Sequence, residues 1–288
     1  GGSFGWRQPL GLLAGAGLVV GVVPGAFAIT DGEWGMPRRT LVSVLAQLPR
    51  DPVDGDYRVL WVGDPRVIPV AADTYQPGIG YPLTDDGELT VHDFWSGRPT
   101  DVEAEVATAL RQMAAGVTLR GGRLLAQYGI RYVVVPVADG ANGTVGNPLP
   151  TPGGLVDVLE DQLDLAAPLT RPPNFLVYEN TAYTPTRAVL TTAGAAASQE
   201  AGGEAMTTAD LRGSTPFAVG APSRGDATDQ VEAGTLHVAV PYDPNWSLTV
   251  DGSDVPSRRA FGSTPVSYTH LRAHETVLEL VCRLLLAK

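Results

Sequence analysis

The stretch Ile130-Arg-Tyr-Val-Val-Val-Pro136 decides the fold. Its β-branched and aromatic residues predict a buried strand, which must end at Pro136 because proline has no N–H to donate to a neighbouring strand. Two more strands are predicted at 57–62 and 175–178. Apolar residues at helical spacing predict helices between them, at Val102, Val106, Leu110 and Met113 and at Leu155, Leu159 and Leu163. Strands that alternate with helices indicate an α/β layer with a partly parallel sheet.

The pattern changes near Pro185. Residues 236–240 and 246–250 alternate between apolar and polar side chains, as half-buried strands do, and Asp251-Gly252 is a typical hairpin turn. Residues 192–205 are rich in Ala, Gly, Ser and Glu and predict a flexible loop. We therefore expect an α/β domain at 31–185 and an incomplete β-sandwich at 186–265.

Near the start of the chain, the 21 residues from Pro9 to Ile29 carry no charge. As a helix rising about 1.5 Å per residue they would cross the core of a bilayer. Arg7 precedes the run and Asp31 follows it, which predicts that the residues after about 30 are extracytoplasmic and that the chain belongs to the cell membrane.

Two interpretations of this uncharged run remain open. Gly11 and Gly15 lie four residues apart, and Gly17, Gly21 and Gly25 repeat the spacing, which favours a transmembrane helix at 1–30 packed against other helices. The alternative is a secretory signal peptide, because Ala26-Phe-Ala28 resembles a cleavage site. The absence of an initial Met suggests a fragment with more protein upstream.

The composition excludes several classes of function. The chain has 31 acidic and 20 basic residues and a net charge of −11, which makes it a poor partner for nucleic acid. Its single cysteine, Cys282, lies in the final segment, so the rest of the chain has no thiol for disulfides, nucleophilic catalysis or metal binding.

The final segment is unlike the rest of the chain. Residues 266–286 resemble the translation of a transposase-type sequencing-library adapter, with a variable three-residue index at 277–279. His270, His274 and Cys282 are therefore not expected to have a function. Residues 266–288 are expected to be a non-native tail whose removal leaves the fold unchanged. The alternative is an amphipathic C-terminal helix.

Few residues suggest chemistry. Asp64 directly follows a predicted strand, at the end of the sheet where ligands bind in open α/β folds, although an Asp before Pro also forms turns. The predicted ligand-binding residues are completed by a loop cluster of carboxylates and one aromatic residue, Asp85, Asp86, Asp93 and Trp95. Paired carboxylates beside aromatic rings can grip a sugar or act as acid and base, and a solvated acidic loop is the alternative. We predict no catalytic residue, no metal site and no cofactor.

Several stretches resemble known families. Similarity to the exoplasmic C-terminal region of YfhO-like multi-spanning membrane proteins is carried by 128–136, 177–180, 184–188 and 240–252. Residues 31–38 and 58–65 are similar to actinobacterial family 2 glycosyltransferases with a long membrane region. The resemblance implies that the catalytic domain lies upstream, that this chain is an accessory domain, and that its partners are upstream transmembrane helices and a lipid-linked glycan.

Three hypotheses of function follow. The first is the exoplasmic accessory domain of an integral membrane glycosyltransferase that assembles cell-envelope polysaccharide. The second is a secreted or membrane-anchored carbohydrate-binding protein. The third is an extracytoplasmic hydrolase that uses the loop from Asp85 to Asp93.

Overall fold

The computed structural model describes residues 9–18, 48, 52–85, 91–95, 97, 99–140, 142–167, 172–200, 202–221, 227–250, 252–269 and 277–281. Residues 1–40 form one compact unit and residues 41–288 form another. Within the first unit, residues 9–18 form a helix, α1.

A five-stranded mixed sheet carries the first half of the second unit. Its strands are β1 (Arg58–Trp61), β4 (Leu83–Asp85), β5 (Ile130–Pro136), β6 (Leu165–Ala166) and β7 (Phe175–Asn180), in the order β4-β1-β5-β7-β6. Only β1 and β5 run parallel, and the other neighbours are antiparallel. The prediction of a partly parallel sheet is confirmed. Strands β2 (Thr74–Gln76) and β3 (Ile79–Gly80) form a separate hairpin.

Helices cover one face of this sheet. They are α2 (Asp101–Ala114), α3 (Gly121–Ala126) and α4 (Leu155–Glu160). Helix α2 begins with a capping box, in which Thr100 Oγ1 accepts the Glu103 N–H and the Glu103 carboxylate accepts the Thr100 N–H. The four apolar residues that predicted α2 are all buried against the sheet, at 0–3% exposure.

Two antiparallel sheets follow from residue 187 onward. The inner antiparallel sheet has the order β14-β15-β11-β8-β9 and consists of β8 (Arg187–Leu190), β9 (Thr215–Pro216), β11 (Gly234–Val238), β14 (Ser257–Ala260) and β15 (Thr264–Thr269). The outer antiparallel sheet has the order β10-β16-β12-β13 and consists of β10 (Ala227–Gln230), β12 (Ser247–Val250), β13 (Ser253–Val255) and β16 (Val277–Val281).

Side chains from both antiparallel sheets meet in one hydrophobic cluster, which includes Leu236 and Val238 from β11 and Leu248 and Val250 from β12. The predicted hairpin at Asp251-Gly252 joins β12 to β13. A larger cluster joins the mixed sheet to the inner antiparallel sheet, since it contains Leu60 of β1 and Val266 of β15. Both halves of residues 41–288 therefore share a core.

The flexible loop predicted at 192–205 is wrong in part. Residues Thr192–Ala197 form a helix, α5, and Gly203–Thr207 form a 3-10 turn. The hydroxyl of Thr191 accepts the N–H of Gly194 at 3.1 Å and caps the helix. Alanine has the highest helix propensity, so the Ala-rich composition that suggested a loop suits a capped helix equally well.

The predicted transmembrane helix at 1–30 falls largely outside the described residues, which include only 9–18 of that range. Among the residues that the structure describes, no helix has both the length and the apolar character needed to cross a bilayer.

The segment that resembles an adapter contributes strands. Strand β15 continues to Thr269 between β14 and β11, and Val266 is only 2% exposed. Residues 277–281 form β16, so the alternative of a helix is wrong at those positions. A deletion that begins at 266 would remove most of β15, which lies between two other strands. The expectation that such a deletion leaves the fold unchanged stays a prediction.

Candidate functional site

Asp64 lies just beyond the carboxyl end of β1, as predicted, and its side chain is bound to a neighbour in sequence. Asp64 Oδ1 accepts the backbone N–H of Arg66 at 2.9 Å, and Oδ2 accepts from Arg66 Nη2 at 2.5 Å. The hydrogen bond from the Arg66 side chain lowers the pKa of Asp64 below its usual value. This geometry is an Asx turn closed by an ion pair, as expected of an Asp before Pro.

Two residues that were not predicted lie at the same edge of the sheet. Asn142 Nδ2 donates to the Arg66 carbonyl and to Asp139 Oδ2, both at 2.9 Å. Asp139 follows β5, which runs parallel to β1. Because the carboxyl ends of parallel strands meet at one edge of a sheet, polar residues after β5 could have been predicted to lie near Asp64. The polar groups of this cluster therefore form hydrogen bonds with one another at this edge of the sheet.

Asp85 belongs to a different end of the sheet. It pairs with Arg58 in the β1–β4 ladder, and Arg58 Nε donates to Asp85 Oδ1 at 2.8 Å. Because Arg58 begins β1 and Asp64 follows its end, the structure places Asp64 and Asp85 near opposite ends of this strand.

Arg58 joins the mixed sheet to the second half of the unit. Its guanidinium is mostly buried and donates to the carbonyls of Tyr128, at 3.1 Å, and of Ala239, which follows β11. A buried charge of this kind is costly unless several acceptors surround it. Asp85 is one of those acceptors, and its role in the structure is to hold Arg58.

The remaining loop residues lie around a 3-10 turn at Val91–Phe94. The carbonyl of Asp93 accepts the N–H of Ala71 at 2.8 Å, which ties the turn to the loop after β1. Phe94 is 54% exposed and Trp95 is 73% exposed. Asp86 lies outside the described residues. The loop therefore presents two adjacent aromatic side chains to solvent, and Phe94 was not predicted.

A buried histidine lies where the mixed sheet meets the inner antiparallel sheet. His237 is fully buried, its Nε2 lies 3.1 Å from Thr264 Oγ1, and its ring packs edge-on against Phe261 at 5.4 Å between centroids. Burial, together with the nearby charge of Arg58, lowers the pKa of His237 to about 3. This environment gives His237 a structural role in the core.

A second buried arginine is enclosed by aromatic rings. Arg131 Nη2 lies 2.8 Å from Asp54 Oδ2, and its Nε lies 3.4 Å from Glu179 Oε1. Its guanidinium lies 5.4–5.7 Å from the centroids of three rings, those of Tyr57, Tyr132 and Tyr183. These cation–π and ionic contacts stabilise the start of β5 and leave the arginine only 9% exposed.

A groove of about 290 Å³ lies between α5 and the inner antiparallel sheet. It is lined by Ala195, Ala196, Gln199, Thr235, Arg258, Val266 and Tyr268. Arg258 is fixed there by Ser198, whose carbonyl and hydroxyl oxygens both accept from it at 2.7 Å. None of the predicted site residues lines this groove, and part of its wall comes from the segment that resembles an adapter.

Within the described residues, no group of three or more His, Cys, Asp or Glu side chains is arranged to hold a metal ion. Comparisons with protein-family models, with curated proteins and with solved structures find no match for this chain.

Proposed function

We propose that this chain is the extracytoplasmic accessory region of an integral membrane glycosyltransferase of cell-envelope polysaccharide assembly. In this proposal the catalytic domain and further transmembrane helices lie upstream, and the accessory region contacts a lipid-linked glycan. The resemblance of 31–38 and 58–65 to such transferases suggests the class, and the helix α1 carries the argument for the membrane.

Helix α1 has no charged residue, and its leucines are exposed on every side of the helix. Their exposed fractions are 62% for Leu10, 76% for Leu12, 71% for Leu13 and 70% for Leu18. Together these exposed fractions correspond to about 2.8 fully exposed side chains. At roughly 1.5–3 kcal/mol for each side chain, burying them in lipid or against other helices would therefore gain roughly 4–8 kcal/mol. A helix that is apolar all round requires an apolar environment, and a membrane with further helices supplies one.

The exposed aromatic pair supports contact with a glycan. Phe94 and Trp95 follow each other at the end of a turn that Asp93 ties to the loop after β1. Exposed aromatic rings offer an apolar face for the C–H face of a sugar, and a neutral sugar is not repelled by a chain of net charge −11. The side chains of Asp64 and Asp85, by contrast, are held by arginines.

Membrane association is tested by expressing the whole chain in a bacterium and extracting membranes at alkaline pH. We expect the chain to remain in the membrane pellet. The double variant Leu18→Arg/Val19→Arg, in the middle of the uncharged run Pro9–Ile29, should be released, since each Arg costs roughly 2.5–3.5 kcal/mol at the centre of a membrane helix. Val145→Arg, at an exposed position in the other unit, is the matched control and should stay in the pellet. Release of the unmodified chain would contradict the membrane assignment.

Glycan contact is tested by titrating the detergent-solubilised chain with neutral hexose and pentose oligosaccharides. We expect Trp95→Ala to weaken binding at least tenfold, which is about 1.4 kcal/mol. Val145→Ala should leave the affinity unchanged. Equal affinities of the unmodified chain and Trp95→Ala would remove the aromatic pair from the proposal.

The alternative is a secreted or membrane-anchored carbohydrate-binding protein, which the same aromatic pair would serve. The upstream gene sequence separates the two. A catalytic domain and many apolar spans support the transferase, whereas a start codon a few residues before Gly1 supports the binding protein.

A further inference from the structure

We infer that the outer antiparallel sheet contains a slot between β10 and β12 that binds an extended peptide strand, and that it accepts such a strand in trans. In the structure this slot is filled by β16 of the same chain. The ligand class is a five-residue extended segment without proline, with apolar residues at its second and fourth positions. This inference is independent of the glycan proposal.

The slot is defined by backbone pairing on both of its sides. Strand β16 pairs antiparallel with β10, with Leu280 opposite Ala227, and antiparallel with β12, with Leu280 opposite Leu248. Among the described strands, β10 has β16 as its only neighbour. The inserted strand therefore completes two hydrogen-bonded ladders at once, as in β-strand addition.

The floor of the slot is apolar and belongs to the chain's own core. Ala227, Leu248 and Val250 are 6%, 3% and 8% exposed, and they lie in the hydrophobic cluster between the two antiparallel sheets. The register aligns position 280 with Ala227 and Leu248, and position 278 with Val250 on one side and Asp229 on the other. Paired residues of neighbouring strands share a face of the sheet, so positions 278 and 280 are the two that the apolar floor selects.

The strand that fills the slot, β16, indicates that the slot selects an alternating apolar pattern and not a particular sequence. Residues 277–281 read Val-Leu-Glu-Leu-Val and lie in the segment whose composition and resemblance set it apart from the rest of the chain. A segment with that resemblance meets the requirements of the slot because it is extended and has apolar residues at alternate positions. Any peptide with the same alternation meets the same requirements, since backbone hydrogen bonds do not depend on the side chain.

The inference is tested in the whole folded chain by replacing residues 270–276 with a seven-residue protease site and cleaving it after folding. A fluorescent peptide of residues 277–288 is then added in excess and its incorporation is followed by anisotropy. We expect it to replace the cleaved segment. The matched control is the same peptide with Glu279→Pro, which should be incorporated at least tenfold less because proline cannot donate to a central ladder.

Each outcome either supports the slot or overturns it. Incorporation of the unmodified peptide alone supports the slot, whereas equal incorporation of both peptides, or of neither within a day, overturns it. If cleavage unfolds the chain, which the fluorescence of the buried Trp61 would report, recovery of the native signal with the unmodified peptide but not with the control supports the slot. Failure of both peptides to restore the signal overturns it.

Discussion

The buried His237 makes the stability of this protein depend on pH in a calculable way. Its pKa in the folded state is about 3, whereas the ordinary histidine value is 6.5. Between these two values the unfolded chain binds one more proton than the folded chain does. Stability contributed by the neutral histidine is therefore present above pH 6.5 and is lost as the pH falls toward 3.

The magnitude follows from the same two pKa values. At pH 5 the unfolded histidine is 1.5 pH units below its pKa of 6.5 and almost fully protonated, while the folded one is neutral. At about 1.36 kcal/mol for each pH unit, the loss of folding free energy between pH 7 and pH 5 is about 2 kcal/mol. Carboxylates add their own pH dependence, so the measurement must compare two proteins in which only this residue differs.

The assay is urea denaturation at pH 7 and pH 5, followed by tryptophan fluorescence, on the unmodified chain and on His237→Gln. Glutamine is neutral at both values, so the unmodified chain should lose about 2 kcal/mol more than the variant does. Thr264→Val is the matched control, because it removes the partner of Nε2 but keeps the histidine, and it should retain the pH dependence of the unmodified chain. If His237→Gln shows that same pH dependence, the histidine is protonated in the fold and the reasoning fails.

Three further outcomes are expected. Asn180→Ala should lower the free energy of unfolding by about 2–4 kcal/mol in urea denaturation. The reason is that the buried amide donates to two backbone carbonyls and accepts one N–H. A loss under about 0.5 kcal/mol would contradict this role. Asp85→Asn should cost less than Asn180→Ala in the same assay, because the Asp85 side chain is 42% exposed in its ion pair with Arg58; an equal or larger loss would show a more important ion pair. Truncation after Pro265 should lower the melting temperature more than truncation after Thr269, because only the first removes most of β15; equal melting temperatures would show that this strand does not support the fold.

Strong apolar periodicity in the sequence was sufficient to predict some elements of the fold. The spacing of Val102, Val106, Leu110 and Met113 predicted the buried face of α2, and the apolar run before Pro136 predicted β5. Local spacing did not reveal which strands become neighbours. Arg58 and Asp85 are 27 residues apart in the chain and meet only because β1 pairs with β4. That pairing places Asp85 beside the start of β1, whereas Asp64 follows its end.

The glycine pair at the start of α3 shows how a motif typical of anion binding is used for packing instead. The N–H of Gly121 donates to Gln162 Oε1 at 2.9 Å, and the N–H groups of Gly122 and Arg123 donate to the two oxygens of the Asp164 carboxylate at 2.8 Å each. A phosphate at this helix terminus would have to displace a buried carboxylate that already satisfies those donors.

Packing also explains why both residues are glycine. A Cβ at Gly122 would lie 2.4 Å from Asn180 Oδ1 and 2.7 Å from the carboxyl carbon of Asp164, and one at Gly121 would collide with Met113. The two glycines therefore let the start of α3 lie close to the loop that carries Gln162 and Asp164. They also let it lie close to Asn180 of β7, whose amide donates to the Gly122 carbonyl. The helix terminus and Arg58 are bonded to the chain's own groups, and Arg131 is held by Asp54 and Glu179. These features therefore stabilise the fold, and the exposed aromatic pair at Phe94 and Trp95 remains the better candidate for contact with a glycan.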